Sequence, residues 1–413
     1  MKLAHVIALD PTAKQANAFA RACGVARFSY NWALAEWNRQ YEAGQKPTAN
    51  NLKKQFNALK AEQFPWVYES PRDANSRPFA DLNVAFRNFF ASCKGTRKGR
   101  KVGRPVFKKR GQNDAFYLAN DKFSFEKDTL RVRLPVIGNV RIHEPLRLKG
   151  KILSGRVKRR ANRWFLAVQV DCGDVQRTSN ELRRDVIGVD LGLHTAVVPS
   201  AGKPFPAPKP LVASLHRLRR ANRSLHRRKK GSRNRYKSQM RVARLHYRIA
   251  NIRHDYWHKL TTQLCRENQT VVIEDLKMQF MLSNRKLSRS EADTALGMFR
   301  PMLAYKAQLF GCNLVVADKW FPSTQRCSAC GNIRQGDEKV VLGEYTYFCG
   351  SCGAVEDRDL NAAKNLEQYP RLEGNWGRKT RTSGDDLVST CPSGQASRIV
   401  EPETKPGPHV DTY

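Results

Sequence analysis

Acidic residues are what this sequence is short of. Against 74 Lys and Arg it sets only 37 Asp and Glu, a formal net charge of +37 over 413 residues. A folded body with that excess repels itself unless a polyanion neutralises it, and nucleic acid is the commonest such partner. An anionic membrane surface is the competing explanation, but it requires an amphipathic anchor or a lipidation signal, and neither is found. Long apolar runs are also missing, so no membrane span is expected. The opening MKLAHVIALD has the marks of neither a signal peptide nor a transit peptide, which predicts a cytoplasmic protein. GxSxG and GxxxxGK[ST] are both absent, which leaves serine-hydrolase and phosphate-loop chemistry without support. Ten cysteines in so long a chain do not make a disulfide scaffold.

With 40% hydrophobic residues the chain can build sizeable cores, and its length suits two to four domains. Residues 1–10 alternate as a strand and stop at Asp10-Pro11. Helical spacing follows to about Cys93, with Val25, Phe28, Trp32 and Ala35 on one face and Phe79, Leu82, Phe86 and Phe89 on another. Pro65, Pro71 and Pro78 punctuate this stretch. Residues 93–111 carry nine basic side chains, Lys108 and Lys109 among them, and no acid, so they read as an exposed loop facing phosphate. Short alternating runs over 114–172 suggest a small barrel that the first strand helps to close. Residues 211–254 hold 15 Lys or Arg and no acid, with a break at Gly231-Ser232. This is a basic helical hairpin, and Arg219, Arg223, Arg227 and Arg228 are its candidate nucleic-acid contacts. NLVVADKWF reads as a further strand. Beyond about Tyr369 periodicity ends, and 371–413 read as a flexible tail.

Three acids sit at the end of an apolar strand or the start of a helix: Asp190 in IGVDLG, Glu274 in VVIEDL, Asp359 in DRDLNAA. A carboxylate at the end of a buried strand is costly unless a cation or hydrogen-bond donors meet it. Several together raise one another's pKa, and a bound divalent ion reverses that. Hard oxygen ligands suit magnesium or manganese, and two such ions about 4 Å apart can activate water against a phosphodiester. Helix capping is the alternative role for Asp359, as for Asp275 and Asp357. Cys327-x2-Cys330 and Cys349-x2-Cys352, separated by 18 residues, form a zinc-ribbon pattern for one structural zinc. The scattered Cys23, Cys93, Cys172, Cys265, Cys312 and Cys391 read as small buried or unreactive thiols.

IGVDLG, then VVIEDL, then the paired CxxC, then DRDLNAAKN, taken in that order, resemble the RuvC-type nuclease of the TnpB family. YKAQLFGC and STQRCSACG resemble the segments before and at that family's zinc ribbon. The resemblance implies an RNA-guided DNA endonuclease, with a transposon-derived guide RNA and double-stranded target DNA as partners. Cleavage would fall beside a target-adjacent motif. It implies Asp190, Glu274 and Asp359 as the catalytic triad holding two magnesium or manganese ions. Asp357 is the close alternative to Asp359, which stands two residues before the motif's Asn361.

The expected architecture is multi-domain α+β. A β-barrel wedge domain spans 1–10 and 94–180, interrupted by a helical recognition insert over 11–93. An RNase H-like (RuvC) nuclease domain spans 181–326 and 353–370. It carries the basic hairpin (211–265) and the zinc ribbon (327–352) as insertions. Sequence choice is then delegated to base pairing, so the protein needs mainly to grip phosphate and A-form shape. Trp32, Trp37, Trp66, Phe107 and Tyr117 lie near basic residues, most of them as core and some as candidates for base stacking. A monomer is expected. A strand-joining transposase, a guided repressor without cleavage and an RNA chaperone are the rival readings. The last two leave a complete triad unexplained.

Overall fold

The structure is a computed structural model describing residues 1–126, 129–173, 183–193, 195–276, 288–341 and 343–372. The chain forms two compact units that part near residue 174.

In the first unit, strand β1 (Lys2–Asp10) buries Ile7 and Leu9 and leads into helix α1 (Ala13–Glu42). Thr12 starts that helix with a reciprocal cap: its hydroxyl accepts from the Gln15 amide, and the Gln15 side chain accepts from the Thr12 amide. Helices α2 (Ala49–Gln63) and α3 (Arg72–Cys93) pack back onto α1. The buried face of α1 includes Phe19, Cys23, Val25, Ala26, Tyr30, Ala33 and Trp37; of the expected residues Val25 is buried and Phe28 and Trp32 pack against this core, while Ala35 is exposed. Pro78 does not end a helix, as its residue type suggested; it lies inside α3, buried beside Phe79. Burial of Phe79, Leu82 and Phe86 against the core outweighs the hydrogen bond that Pro78 cannot make.

Strands β2 (Ala115–Ala119), β3 (Ser124–Phe125), β4 (Arg131–Leu134), β5 (Gly138–Ile142), β6 (Lys151–Arg160) and β7 (Arg163–Asp171) join β1 in one sheet. Its order is β2-β6-β7-β1-β5-β4-β3. The two end strands, β2 and β3, are consecutive in the chain and only four residues apart. Four residues span roughly 15 Å at most, so the sheet has to curl until its ends approach.

The second unit opens with β8 (Arg184–Asp190), β9 (Thr195–Pro199) and β10 (Phe205–Pro206). Helices α4 (Pro210–His226) and α5 (Arg233–Glu267) then form a hairpin. Gly231, at φ +85°, supplies the left-handed turn residue, and the Arg235 guanidinium ties the turn by donating to the carbonyls of Leu225 and Arg228. At the root, the buried Asp293 carboxylate accepts from the amides of Leu211 and Val212 and pairs with Arg253. Asp293 belongs to α6 (Ser288–Thr294).

Strand β11 (Asn268–Ile273), helix α7 (Phe299–Phe310), strand β12 (Asn313–Val316), the short pair β13 (Thr346–Phe348) and β14 (Val355–Asp357), and helix α8 (Arg358–Leu372) complete the unit. Its main sheet runs β10-β9-β8-β11-β12, with β8, β11 and β12 parallel and β9 and β10 a meander on one side. Trp257, Phe299, Leu303, Ile187, Val271 and Ile273 form the core under it. The expected strand over NLVVADKWF is shorter than its apolar content suggested. Pairing ends where the Ala317 amide donates to Ile273, and the Asp318 carboxylate then accepts from the Trp320 amide in a turn. No described helix is long and apolar enough to cross a membrane.

Candidate active site and metal centre

Val189 on β8 and Ile273 on β11 are register partners in a parallel pair. The next residues, Asp190 and Glu274, therefore leave the carboxyl ends of neighbouring strands about 5 Å apart and on the same face. Ligand sites in open sheets sit at this end, where successive connections depart to opposite sides. Here β8 connects outward to β9, while β11 lies on its other flank. The third acid comes from α8, which packs along β8 and carries Asp359 in its first turn. The three acids expected as a triad lie near enough that Glu274 and Asp359 both act on the Asp190 carboxyl.

The electrostatics carry the mark of like charges gathered out of water. The Asp190 carboxyl is pushed well above its ordinary range, first by burial and then by the carboxylates of Glu274 and Asp359. The Leu191 amide and Arg358 oppose the shift without cancelling it. Burial also raises Glu274, against a hydrogen bond donated by the Ser323 hydroxyl. Asp359 receives the Arg358 guanidinium on one oxygen at 3.0 and 3.1 Å. A carboxyl raised by burial and by two neighbouring carboxylates, as Asp190 is, is what a hard divalent cation stabilises, so the chemistry of the donor set suits such an ion.

The two acids of DRD have different partners. Asp357, the last residue of β14, accepts at 3.0 Å from the amides of Asp359 and Leu360, capping α8. Asp275 accepts from Arg300 at 2.6 Å. His194, which the sequence places in the turn after Asp190 and which is read as an exposed histidine, lies outside the described residues, as do residues 373–413 of the tail.

The four ribbon thiols come together. Their sulfurs lie within 4.8 Å of one another, with Cys327–Cys352 at 3.8 Å and Cys330–Cys349 at 3.6 Å. Four sulfurs about 2.3 Å from a central ion lie about 3.8 Å apart, so the cluster fits a structural zinc. Backbone amides of Cys352 and Ser351 draw the Cys349 thiol down to about 6, making a thiolate available at neutral pH. The first knuckle docks on α8 through residues that sequence reasoning did not assign to this task. Asn361 accepts from the Ser328 amide at 2.9 Å and donates to the Arg326 carbonyl at 2.8 Å. Asn365 donates to the carbonyls of Ser323 and Arg326, and Gln368 to that of Ser328.

Three family models match stretches of the chain. Residues 167–285 match a family described as "Probable transposase", and residues 297–366 match a "Cas12f1-like, TNB domain". Residues 1–46, here β1 and the single long helix α1, match a family described as "Helix-turn-helix domain". A Streptomyces pristinaespiralis protein called "Putative RNA-guided DNA endonuclease" is 35% identical over 362 residues, covering 86% of each chain. This chain belongs to the TnpB family. Escherichia coli K12 carries a relative called "Putative RNA-guided DNA endonuclease InsQ", 30% identical over 87% of this chain and 90% of that one. Among solved structures, a Cas12f1-sgRNA-target DNA complex aligns with 84% of this TnpB chain and 82% of its own at 14% identity and TM-score 0.47, too distant to bear on function.

The basic candidates of this TnpB protein differ in setting. Arg219, Arg223, Arg227 and Arg228 are all exposed on and just beyond α4. Lys108 and Lys109 are exposed too; the Lys108 ammonium lies over the Tyr30 ring at 3.8 Å, and its backbone is held from both sides by Asn31. Of the candidate stacking aromatics, Trp37 is buried on Phe86, Trp32 packs edge-on against Phe56, and Tyr117 lies under Arg77. Trp66 and Phe107 remain exposed. Among the scattered thiols Cys23, Cys265 and Cys312 are buried as expected; Cys93 is exposed, and Cys391 lies outside the described residues.

Proposed function

We propose that this chain is an RNA-guided DNA endonuclease that cuts DNA matching a transposon-derived guide RNA beside a target-adjacent motif. The observation that carries the reading is the convergence of Asp190, Glu274 and Asp359, with Asp190 raised first by burial and then by the other two. Relatives covering most of the chain bear the name putative RNA-guided DNA endonuclease. Asp190, Glu274 and Asp359 would hold two magnesium or manganese ions, which when bound supply an activated water and charge stabilisation for the leaving oxygen. Ser323 orients Glu274, and Asp357 and the Asn361 clamp hold the start of α8, so that the third carboxylate is presented in one place.

An RNase H-like domain is the natural reading of the second unit's sheet: a three-strand meander feeding two parallel strands, with acids at the ends of the central pair. The first unit's curled sheet reads as the wedge barrel and α1–α3 as the recognition insert. The +37 charge and the exposed arginines of the hairpin suit a guide RNA and a target DNA gripped by phosphate, leaving sequence to base pairing. The whole is read as a monomer acting in a prokaryotic cytoplasm.

The test mixes the protein, its co-purified RNA and a plasmid carrying the matching target. Cleavage by the wild type should fall about a thousandfold or more in Asp190→Ala, since a lost metal ligand forfeits several kcal/mol of transition-state stabilisation. Guide and target binding should persist. Undiminished cutting by that variant would place the active site elsewhere. Joined strands from supplied transposon ends, in place of simple breaks, would favour a transposase.

A further inference from the structure

Trp320 is the most exposed tryptophan among the described residues, with 73% of its surface open to water. Its position is the reason to ask what covers it. The loop 317–323 leaves β12 where the Ala317 amide donates to the Ile273 carbonyl at 2.8 Å, directly beside Glu274. It returns where the Ser323 hydroxyl donates to the Glu274 carboxylate. Trp320 is three residues from each anchor, so its backbone lies within roughly 11 Å of Ala317 and of Ser323, the two residues bonded to that strand end.

The loop is pinned on both sides of Trp320. The Asp318 amide donates to the Tyr369 hydroxyl at 3.0 Å, and the Asp318 carboxylate accepts from the Trp320 amide at 2.8 Å. Phe321 is buried edge-on against Tyr369, with ring centroids 4.8 Å apart. Phe321 and Ser323 are buried, and the indole of Trp320 just before them is left outside. The Lys319 ammonium lies over the indole, 4.2 Å from its centroid. One face of the ring therefore already holds a cation, and that cation is placed to meet a phosphate.

We propose that Trp320 is a stacking platform for a base of the DNA strand that enters the carboxylate site. The open face of the indole takes the base, and Lys319 takes a neighbouring phosphate. This rests on the nuclease reading above and extends it to a substrate-binding residue. A single-stranded nucleic acid is the occupant because every base offers a π-face, a positive charge stands beside the ring, and the acids that cut phosphodiesters are adjacent. Stacking there fixes the strand's register relative to Asp190, Glu274 and Asp359 without reading its sequence. That is what a guided enzyme needs from its cutting site.

The experiment measures single-turnover cleavage by the full protein with its guide, comparing wild type, Trp320→Ala and Trp320→Phe. Each is given intact target and targets with one abasic nucleotide near the cut. Trp320→Ala should cut intact DNA about tenfold slower or more, and Trp320→Phe should stay close to wild type, because a ring is restored. At one abasic position the wild type should slow by a similar factor while Trp320→Ala slows no further, since the contact is already gone. Guide and target binding by mobility shift should be unchanged in both variants. Wild-type cleavage by Trp320→Ala, or additive losses at every abasic position, would overturn the proposal and leave the indole as a surface for another protein. A wild-type protein that cuts no target would overturn the nuclease reading as well.

Discussion

The carbonyl oxygen of Ala363 lies 1.9 Å from where a side chain on Gly188 would begin. Helix α8 thus rests on β8 at a point where only glycine fits, and the Glu367 amide stands 2.4 Å from the same spot. Asp190 lies two residues along the strand from this contact and Asp359 one helical turn before it, so the close approach sets how near these two carboxylates come.

Gly188→Ala should therefore do more harm than an added methyl group usually does. The clash is with backbone, which cannot swing aside, so α8 must lift. Overpacking of this kind costs about 1–3 kcal/mol. Denaturation should show that loss, and cleavage should drop further than the lower stability explains. Full activity in a folded Gly188→Ala protein would mean that α8 does not deliver a catalytic group.

The two acids of DRD should separate in function. Asp359→Ala should abolish cleavage with binding intact. Asp357→Ala should lose only its cap on α8, costing about 0.5–2 kcal/mol, and should cut measurably. Magnesium or manganese should support cutting, and calcium should allow binding with little turnover because its looser coordination positions the reactants poorly. If Asp357→Ala proved the deader of the two in a plasmid assay, the assignment would have to be exchanged.

Purified protein should carry one zinc, lost on Cys330→Ser or Cys349→Ser, with unfolding of the ribbon because structural metal binding is folding free energy. Asn361→Ala should behave differently. It strands the Ser328 amide, at about 1–3 kcal/mol, and removes one of the two donors to the Arg326 carbonyl, yet touches no thiol. Elemental analysis should find zinc retained in that variant while cleavage falls. Zinc loss on Asn361→Ala would show that the clamp serves the ribbon and not α8.

Asp190 also gives the metal-free protein a pH signature. Its carboxyl is raised above the ordinary 3.8 by burial, then by Glu274 and Asp359, so the folded chain holds this proton more tightly than the unfolded one. Stability from this source is full below the ordinary carboxylate range and declines as pH rises through it toward the folded value. Melting temperatures in chelator, taken as the difference between wild type and Asp190→Asn across pH 4–8, should show the wild type losing ground as pH rises. Added magnesium should stabilise the wild type and leave Asp190→Asn nearly unmoved. A flat difference would mean that Asp190 is not held among carboxylates.

Neutralising Arg219, Arg223, Arg227 and Arg228 should weaken nucleic-acid binding and flatten its dependence on salt by roughly one slope unit per lost phosphate contact. An unchanged slope would identify the α4 face as merely solvated.

The elements that carry the site were legible in the sequence because their signals are local. A CxxC spacing, a strand that ends in an acid and an acid-free basic run depend on neighbouring residues alone, and the motifs around Asp190, Glu274, Asp359 and the four cysteines needed no tertiary information to be found. The same locality misled the reading of Pro78 and of the residues after Val316. A proline was taken as a break and an apolar run as a strand, but helix packing and the Asp318 turn decided otherwise. Gly188, Ser323, Asn361 and Trp320 acquire their roles only from residues 33 to 175 positions away or from a loop folded back on its own strand. A glycine, a serine or an asparagine has no composition or period that announces such a partner. Which helix lies on which strand, and hence which of two neighbouring aspartates faces the other acids and which one caps, was decided by packing.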